Sequence, residues 1–317
     1  MGQVIILEGP DGGGKTTLAR ELELLKYRYV HCGVPKPKQD LFDFYTKVVL
    51  AAISVKQDTV IDRCYLGEGI YGPVMRGADR LGERGRTLLQ RLCRAHGVVE
   101  VICLPDYATV ELNWRAKKSD YVKSTFQLTE LYERYGDLAT DPYYRWYDYT
   151  SQHALSVPWL AVIKPALPHL PPGCLGSPNA KYLLVGERVN ARRQPLDLPF
   201  YALDGSSGYL NDRLREAGLE ERDLAFTNAV KANGQRQSLQ VVANALPRLE
   251  KVIALGEVAE KACRAQRFKP TELAALPHPA YWSRFHSKQP GVYVKLLQEA
   301  VSASASERLL RCVVSAT

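Results

Sequence analysis

A chain of 317 residues is long enough for two domains with separate cores. Hydrophobic residues make up 46% of it, mean hydropathy is -0.23, and no apolar run reaches the length of a membrane span. The first residues enter a strand at once, so neither a signal peptide nor a location outside the cytoplasm is expected. Lys and Arg number 42 against 34 Asp and Glu, a formal charge of +8 that favours a polyanionic partner. Seven cysteines without C-x-x-C pairs argue against a disulfide framework, a zinc site or an iron–sulfur cluster.

The chain opens on Val4-Ile5-Ile6-Leu7-Glu8, an apolar run of strand character. Gly9-Pro10-Asp11-Gly12-Gly13-Gly14-Lys15-Thr16-Thr17 follows, then a helix pattern from Leu18. Strand, G-x-x-x-x-G-K-T and helix in that order make a phosphate-binding loop. Its backbone N–H groups converge on a β-phosphate, Lys15 reaches the β and γ oxygens, and the Thr16 hydroxyl is placed to ligate Mg²⁺. Gly9 to Thr17 are therefore the expected nucleotide-binding residues. Tyr29-Val30-His31-Cys32 reads as a short extended piece, Leu41 to Val55 as a helix, and Thr59-Val60-Ile61 as a buried strand ending in Asp62-Arg63. A helix over Thr87 to His96 and a strand over Val98 to Leu104 continue the alternation. Such alternation predicts a parallel sheet with helices on both faces and ligands at the carboxyl ends of the strands.

Proline accumulates between Ser156 and Pro178, which is read as a linker between domains at 1–155 and 179–317. A second alternation follows. Strands are expected over Tyr182 to Gly186, Leu224 to Asn228 and Lys251 to Gly256, with helices around Tyr209 to Ala217 and Ser238 to Leu246. This second α/β unit carries no phosphate loop.

The loop Glu8-Gly9-Pro10-Asp11-Gly12 with Lys15-Thr16-Thr17, followed by Asp62-Arg63 at a strand end, resembles the thymidylate kinase family, a group with the P-loop NTPase fold. Cys64 and Tyr65 stand where that family has an aromatic residue next. The resemblance implies that Asp11 faces the acceptor and that Arg63 approaches phosphate. No Asn-Lys-x-Asp motif specifies guanine, so ATP with Mg²⁺ is the expected donor. Phosphoryl transfer needs in-line positioning, charge neutralisation and an acid near the attacking hydroxyl. Lys15, Asp62, Arg63 and Asp11 are the expected catalytic residues, with Thr16 and Asp62 on the metal side. A strand-end ion pair or a helix cap is the alternative account of Asp62-Arg63. Asn113 to Asp120 resembles the basic lid of such kinases and would bring Arg115 to the donor phosphates; a solvated basic helix face is the alternative. Leu66 to Gly77 resembles the matching run of phage-encoded relatives, which implies that Glu68 and Tyr71 contact the acceptor. A glycine-turned loop with Tyr71 as packing is the alternative there.

In the second unit Val185-Gly186-Glu187, Pro199-Phe200, Gly205 to Leu210, Thr227 to Lys231, Ala254-Leu255-Gly256 and Pro277-His278-Pro279-Ala280 occur in an order that resembles the uracil-DNA glycosylase superfamily. The likeness implies functional positions at Glu187 and His278. Arg188-Val189-Asn190 replaces the family's Pro-Gly after Glu187, so the expectation is a domain that keeps a DNA grip and base pocket without excision. Tyr281-Trp282-Ser283-Arg284-Phe285 reads as a loop whose aromatics, with Arg284, stack on or wedge into nucleic acid. Together the halves resemble the phage 5-hydroxymethyluracil DNA kinases. The implied activity is ATP-dependent phosphorylation of the 5-hydroxymethyl group of 5-hydroxymethyldeoxyuridine within DNA, a step in viral thymidine hypermodification. A thymidylate-like deoxynucleoside monophosphate kinase and an ATP-switched DNA-binding or repair module remain the alternatives.

Overall fold

A computed structural model describes residues 2–117, 121–150, 169–188, 198–266, 268 and 272–302. The chain divides into two compact units, one of residues 1–89 and 96–168 and the other of residues 90–95 and 169–317. Each is an α/β structure built on its own five-stranded sheet.

The first unit contains strands β1 (Val4–Glu8), β2 (Arg28–His31), β3 (Thr59–Asp62), β4 (Val99–Cys103) and β5 (Arg145–Tyr147) in the order β2-β3-β1-β4-β5. All its pairings are parallel, with Ile5 opposite Val60 on one side of β1 and Val99 on the other. Central parallel strands are covered on both faces and therefore read as unbroken apolar runs. Accordingly every residue of β1, β3 and β4 is buried. Around the strands run α1 (Lys15–Leu24), α2 (Leu41–Ser54), α3 (Leu66–Arg76), α4 (Gly82–Ala95), α5 (Tyr107–Lys117) and α6 (Thr125–Ala139). Leu18, Ala19 and Leu22 of α1 pack on Ile5, Leu7, Val60 and Val101, which seats the phosphate loop against the sheet. Asp40 caps α2 by accepting from the Asp43 N–H at 3.0 Å.

The segment from Leu66 is a helix rather than a loop. Its periodicity puts Glu68 and Tyr71, three residues apart, on one face. Gly77, at φ 70, closes it in the left-handed conformation.

The second unit contains β6 (Cys174–Gly176), β7 (Tyr182–Arg188), β8 (Leu224–Val230), β9 (Lys251–Leu255) and β10 (Glu272–Leu276) in the order β10-β9-β7-β8-β6. Only β6 runs antiparallel, at the sheet edge. Its helices are α7 (Gly205–Glu216), α8 (Leu239–Asn244), α9 (Glu257–Arg264), α10 (Pro279–Phe285) and α11 (Pro290–Ser302). Two expectations are corrected here. Cys174 to Gly176 lies in the stretch read as linker but pairs with Ala225 to Thr227 as a strand; residues 156–168 of that stretch lie outside the described residues. The aromatic run 281–285 is a helix, because His278 caps it and Pro279 supplies a ready-made first-turn φ. Among the described residues no helix is long and apolar enough to cross a membrane.

Candidate functional site

The candidate site of the first unit lies at the carboxyl ends of β1, β3 and β4. Between β1 and α1 the chain must turn tightly beneath Cys103, and a side chain on Gly9 (φ 145) would collide with the Cys103 carbonyl. That is why the turn begins with glycine. Lys15 starts α1 buried, its Nζ donating to the carbonyls of Gly9 at 2.8 Å and Pro10 at 2.7 Å. Burial pushes its ammonium down to about 8, with Arg63 adding to the fall and Asp11 and Asp62 opposing it.

Asp62 ends β3 fully buried. Its Oδ2 accepts from Thr16 Oγ1 at 2.8 Å and Tyr29 Oη at 3.1 Å. Its Oδ1 is buried with no hydrogen-bond partner among the described residues. A carboxylate oxygen left unsatisfied beside a threonine hydroxyl is a hard donor set that fits Mg²⁺, a cation that takes one or two protein ligands and keeps its waters. Arg63 sits at φ 69, a left-handed conformation uncommon outside glycine. Its N–H donates to the Leu7 carbonyl at 3.0 Å, and its guanidinium is ion-paired with Asp11.

Two cavities meet at that pair. The first, about 120 Å³, is lined by Asp11, Gly12, Gly14, Lys15, Thr16, Arg63, Trp114 and Lys117. Pro10 and Gly13 belong to the same turn, where the Gly13 N–H donates to the Pro10 carbonyl at 3.1 Å, and Thr17 is exposed on α1. Arg115, expected here, instead pairs with Glu111 along the exposed side of α5, Nη2 to Oε1 at 2.5 Å. From the basic segment it is Trp114 and Lys117 that line the cavity; Lys118 to Asp120 lie outside the described residues. Asn113, which opens the same segment, donates its side-chain amide to the Gly12 carbonyl at 3.1 Å.

The second cavity, about 230 Å³, shares Asp11 and Arg63 with the first and is also lined by Glu8, Glu68, Tyr71, Arg76 and Tyr121. Glu68 and Tyr71, expected at the acceptor, line this cavity together with Asp11 and Arg63. Tyr71 has Arg63 over its ring at 5.5 Å and packs beside Tyr121 and Tyr135 at 5.9 and 6.2 Å. Glu68 is buried and ion-paired with Arg76 at 2.6 Å. Glu8 escaped the sequence reading. It ends an apolar strand, and its Oε1 accepts from the N–H groups of Cys64 at 2.8 Å and Gly67 at 3.2 Å, while Oε2 accepts from Tyr135 Oη at 3.3 Å. Burial pushes its carboxyl up to about 7 against those hydrogen bonds and the nearby Lys15 and Arg63.

In the second unit Glu187 leaves the end of β7, and its Oε1 accepts from the Val258 N–H at 3.3 Å. Gly256 is the pivot: a side chain there would collide with Glu187 and press on His278, so the glycine lets these two expected site residues approach. His278 Nδ1 accepts from the Ala280 N–H at 3.1 Å, which leaves Nε2 as the ring's outward nitrogen. Burial lowers the imidazole below its ordinary value, with Glu187 opposing and Arg284 assisting. The expected stacking role of Trp282 is corrected. The indole is only 3% exposed and stacks on His286 at 4.4 Å, because helical spacing turns it inward. Tyr281 and Phe285 are the exposed aromatics, 5.0 Å apart, with Arg284 exposed between them.

No protein-family model matches the chain, and no curated protein matches it. Solved structures are similar to parts of it. The YorR protein of Bacillus subtilis, in complex with phosphorylated GDP, is 22% identical over 46% of this chain and 85% of its own, with a TM-score of 0.39. Deoxyadenosine kinase from M. mycoides with bound dATP is 13% identical over 46% of this chain and 91% of its own, at 0.32. A putative uracil DNA glycosylase from Methanosarcina acetivorans is 12% identical over 42% of this chain and 96% of its own, at 0.29.

Proposed function

We propose that the chain is an ATP-dependent phosphotransferase that phosphorylates the 5-hydroxymethyl group of 5-hydroxymethyldeoxyuridine within DNA, a step toward hypermodified thymidines. The observation that carries this reading is the shared wall. Asp11 and Arg63 line both cavities, so a terminal phosphate held at Lys15 and a hydroxyl entering the second cavity meet at one carboxylate–guanidinium pair. In the transfer, the bond from the γ-phosphorus to the β,γ-bridging oxygen breaks and a bond to the hydroxymethyl oxygen forms. ADP leaves, and the hydroxyl proton departs to water.

Lys15 and Arg63 hold charge on the phosphoryl oxygens, and Asp11 orients the hydroxyl for in-line attack. A loose transition state needs alignment and charge stabilisation more than a strong base. Mg²⁺, when bound, neutralises and orients the donor phosphates. Thr16 and Asp62 would hold it. In the second unit the Glu187–His278 pair and the exposed Tyr281, Arg284 and Phe285 serve as the grip on DNA, in keeping with the basic composition.

The test is incubation of the full chain with γ-labelled ATP and DNA containing 5-hydroxymethyluracil. Label in the DNA base is expected. Label confined to free mononucleotide, or DNA-stimulated hydrolysis with no phosphorylated base, would overturn the proposal.

A further inference from the structure

We infer that the second cavity is built to admit an uncharged acceptor and to turn away a nucleoside monophosphate, with the Glu68–Arg76 pair as a specificity determinant. This rests on the kinase reading above and adds to it the charge state of what the acceptor site takes.

The charged side chains lining the cavity are Glu8, Asp11, Glu68, Arg63 and Arg76, together with His31 at the rim, whose Nδ1 lies 3.5 Å from Asp62. Both arginines are already engaged. Arg63 is ion-paired with Asp11. Arg76 donates through Nη2 to Glu68 Oε1 and through Nη1 to Tyr121 Oη, each at 2.6 Å. Glu68 is almost wholly buried, its side chain 2% exposed, and its Oε1 also accepts from the Arg80 N–H at 3.3 Å. A phosphate that recruited Arg76 would leave that carboxylate buried without its cation, a costly state.

Glu8 adds a third carboxyl, held by backbone N–H groups and a phenol. Asp11 and Glu68 already balance the two arginines and Glu8 adds no positive charge in either protonation state, so a dianionic phosphate entering here meets no surplus positive charge. An uncharged pyrimidine bearing a hydroxyl meets the opposite situation. Arg76, its side chain 28% exposed, has N–H groups beyond its bonds to Glu68 and Tyr121 to offer a ring oxygen, and Tyr71 and Tyr121 line the cavity. Repulsion of the wrong partner is as effective a source of specificity as attraction of the right one. A base presented from DNA satisfies this requirement, because its phosphodiesters stay outside while the ring enters.

The test is equilibrium titration of the full chain, with a non-hydrolysable ATP analogue and Mg²⁺ present, using 5-hydroxymethyl-2′-deoxyuridine and its 5′-monophosphate. The nucleoside is expected to bind at least about tenfold more tightly, with an affinity little changed by added salt because no net charge is brought together. Glu68→Gln releases Arg76 and is expected to narrow that ratio severalfold by strengthening monophosphate binding. Should that variant fail to fold, Glu68→Gln combined with Arg76→Met removes the ion pair without changing the net charge or leaving either partner buried alone: nucleoside binding weakens and monophosphate binding does not. Equal or tighter binding of the monophosphate by the unaltered chain, or binding of neither ligand, overturns the inference. The proposed function fails separately, if the hydroxymethyl group is phosphorylated on the free nucleoside and never in DNA.

Discussion

Lys15→Met should make the first unit more stable and catalytically dead. Lys15 is 4% exposed and its pKa is lowered from 10.5 to about 8, which amounts to a cost of about 3 kcal/mol on the charged form at neutral pH. Methionine removes that cost and keeps most of the aliphatic stem. Against it stands the loss of the two hydrogen bonds to the Gly9 and Pro10 carbonyls, worth roughly 1 kcal/mol each where the carbonyls stay dry. The net gain is about 1 to 2 kcal/mol, or roughly 2 to 6 °C in the melting temperature of a unit this size. The sign with pH follows from linkage. Between 8 and 10.5 the unfolded chain binds the lysine proton and the folded chain does not, so the unaltered protein regains stability as pH rises through that window. The advantage of the variant is therefore greatest below pH 8 and fades toward 10.5. Thermal unfolding followed by circular dichroism at several pH values, with and without Mg²⁺ and ATP, reads all of this. A variant less stable than the parent at neutral pH, or a gain independent of pH, would refute the reasoning, as would nucleotide-dependent stabilisation that survives the substitution.

Three further outcomes are expected. Asp62→Asn takes a charge from the buried oxygen beside Thr16 and should slow phosphoryl transfer by at least ~100-fold, about 3 kcal/mol, with a raised Mg²⁺ requirement in a metal titration; an unchanged requirement would remove Asp62 from the metal side. Glu8 has a folded pKa near 7 against an ordinary 4.5, so the folded state holds the proton longer and stability falls as pH rises across that window. Glu8→Gln should flatten this slope in denaturant midpoints taken across the window, and a slope that persists would place its origin elsewhere. Trp282→Ala should cost about 3 to 5 kcal/mol of second-unit stability by opening a cavity, whereas the exposed Phe285→Ala should leave the unfolding midpoint nearly unchanged and weaken DNA retention; equal effects of the two on stability would contradict the inward placement of Trp282.

What the sequence disclosed follows the range of the interactions. The phosphate loop is local: glycines, Lys15 and Thr16 within eight residues carry their own geometry, and β1, β3 and β4 announce themselves as apolar runs. Glu8 was hidden because the partners that define it, Cys64, Gly67 and Tyr135, lie 56 to 127 residues away. The three-residue strands β5 and β6 are too short to show a period, and they exist because a neighbouring strand offers an edge. Two misreadings had local remedies. Glu111 stands four residues before Arg115, a spacing that favours a helical ion pair over phosphate binding. Pro279 directly after a capping His278 is a helix start, and a helix turns every third or fourth aromatic inward.

The wall formed by Asp11 and Arg63 also bears on how this protein could be inhibited. Because the same two side chains border both cavities, a single molecule joining an adenosine polyphosphate to a hydroxymethylpyrimidine would, on the proposed reading, have only this one ion pair to pass in order to occupy both. Such a tethered compound gives up its translational freedom once while collecting the contacts of two sites. Its affinity would depend steeply on the number of phosphates in the bridge, which makes a linker series a ruler for the distance between the two cavities.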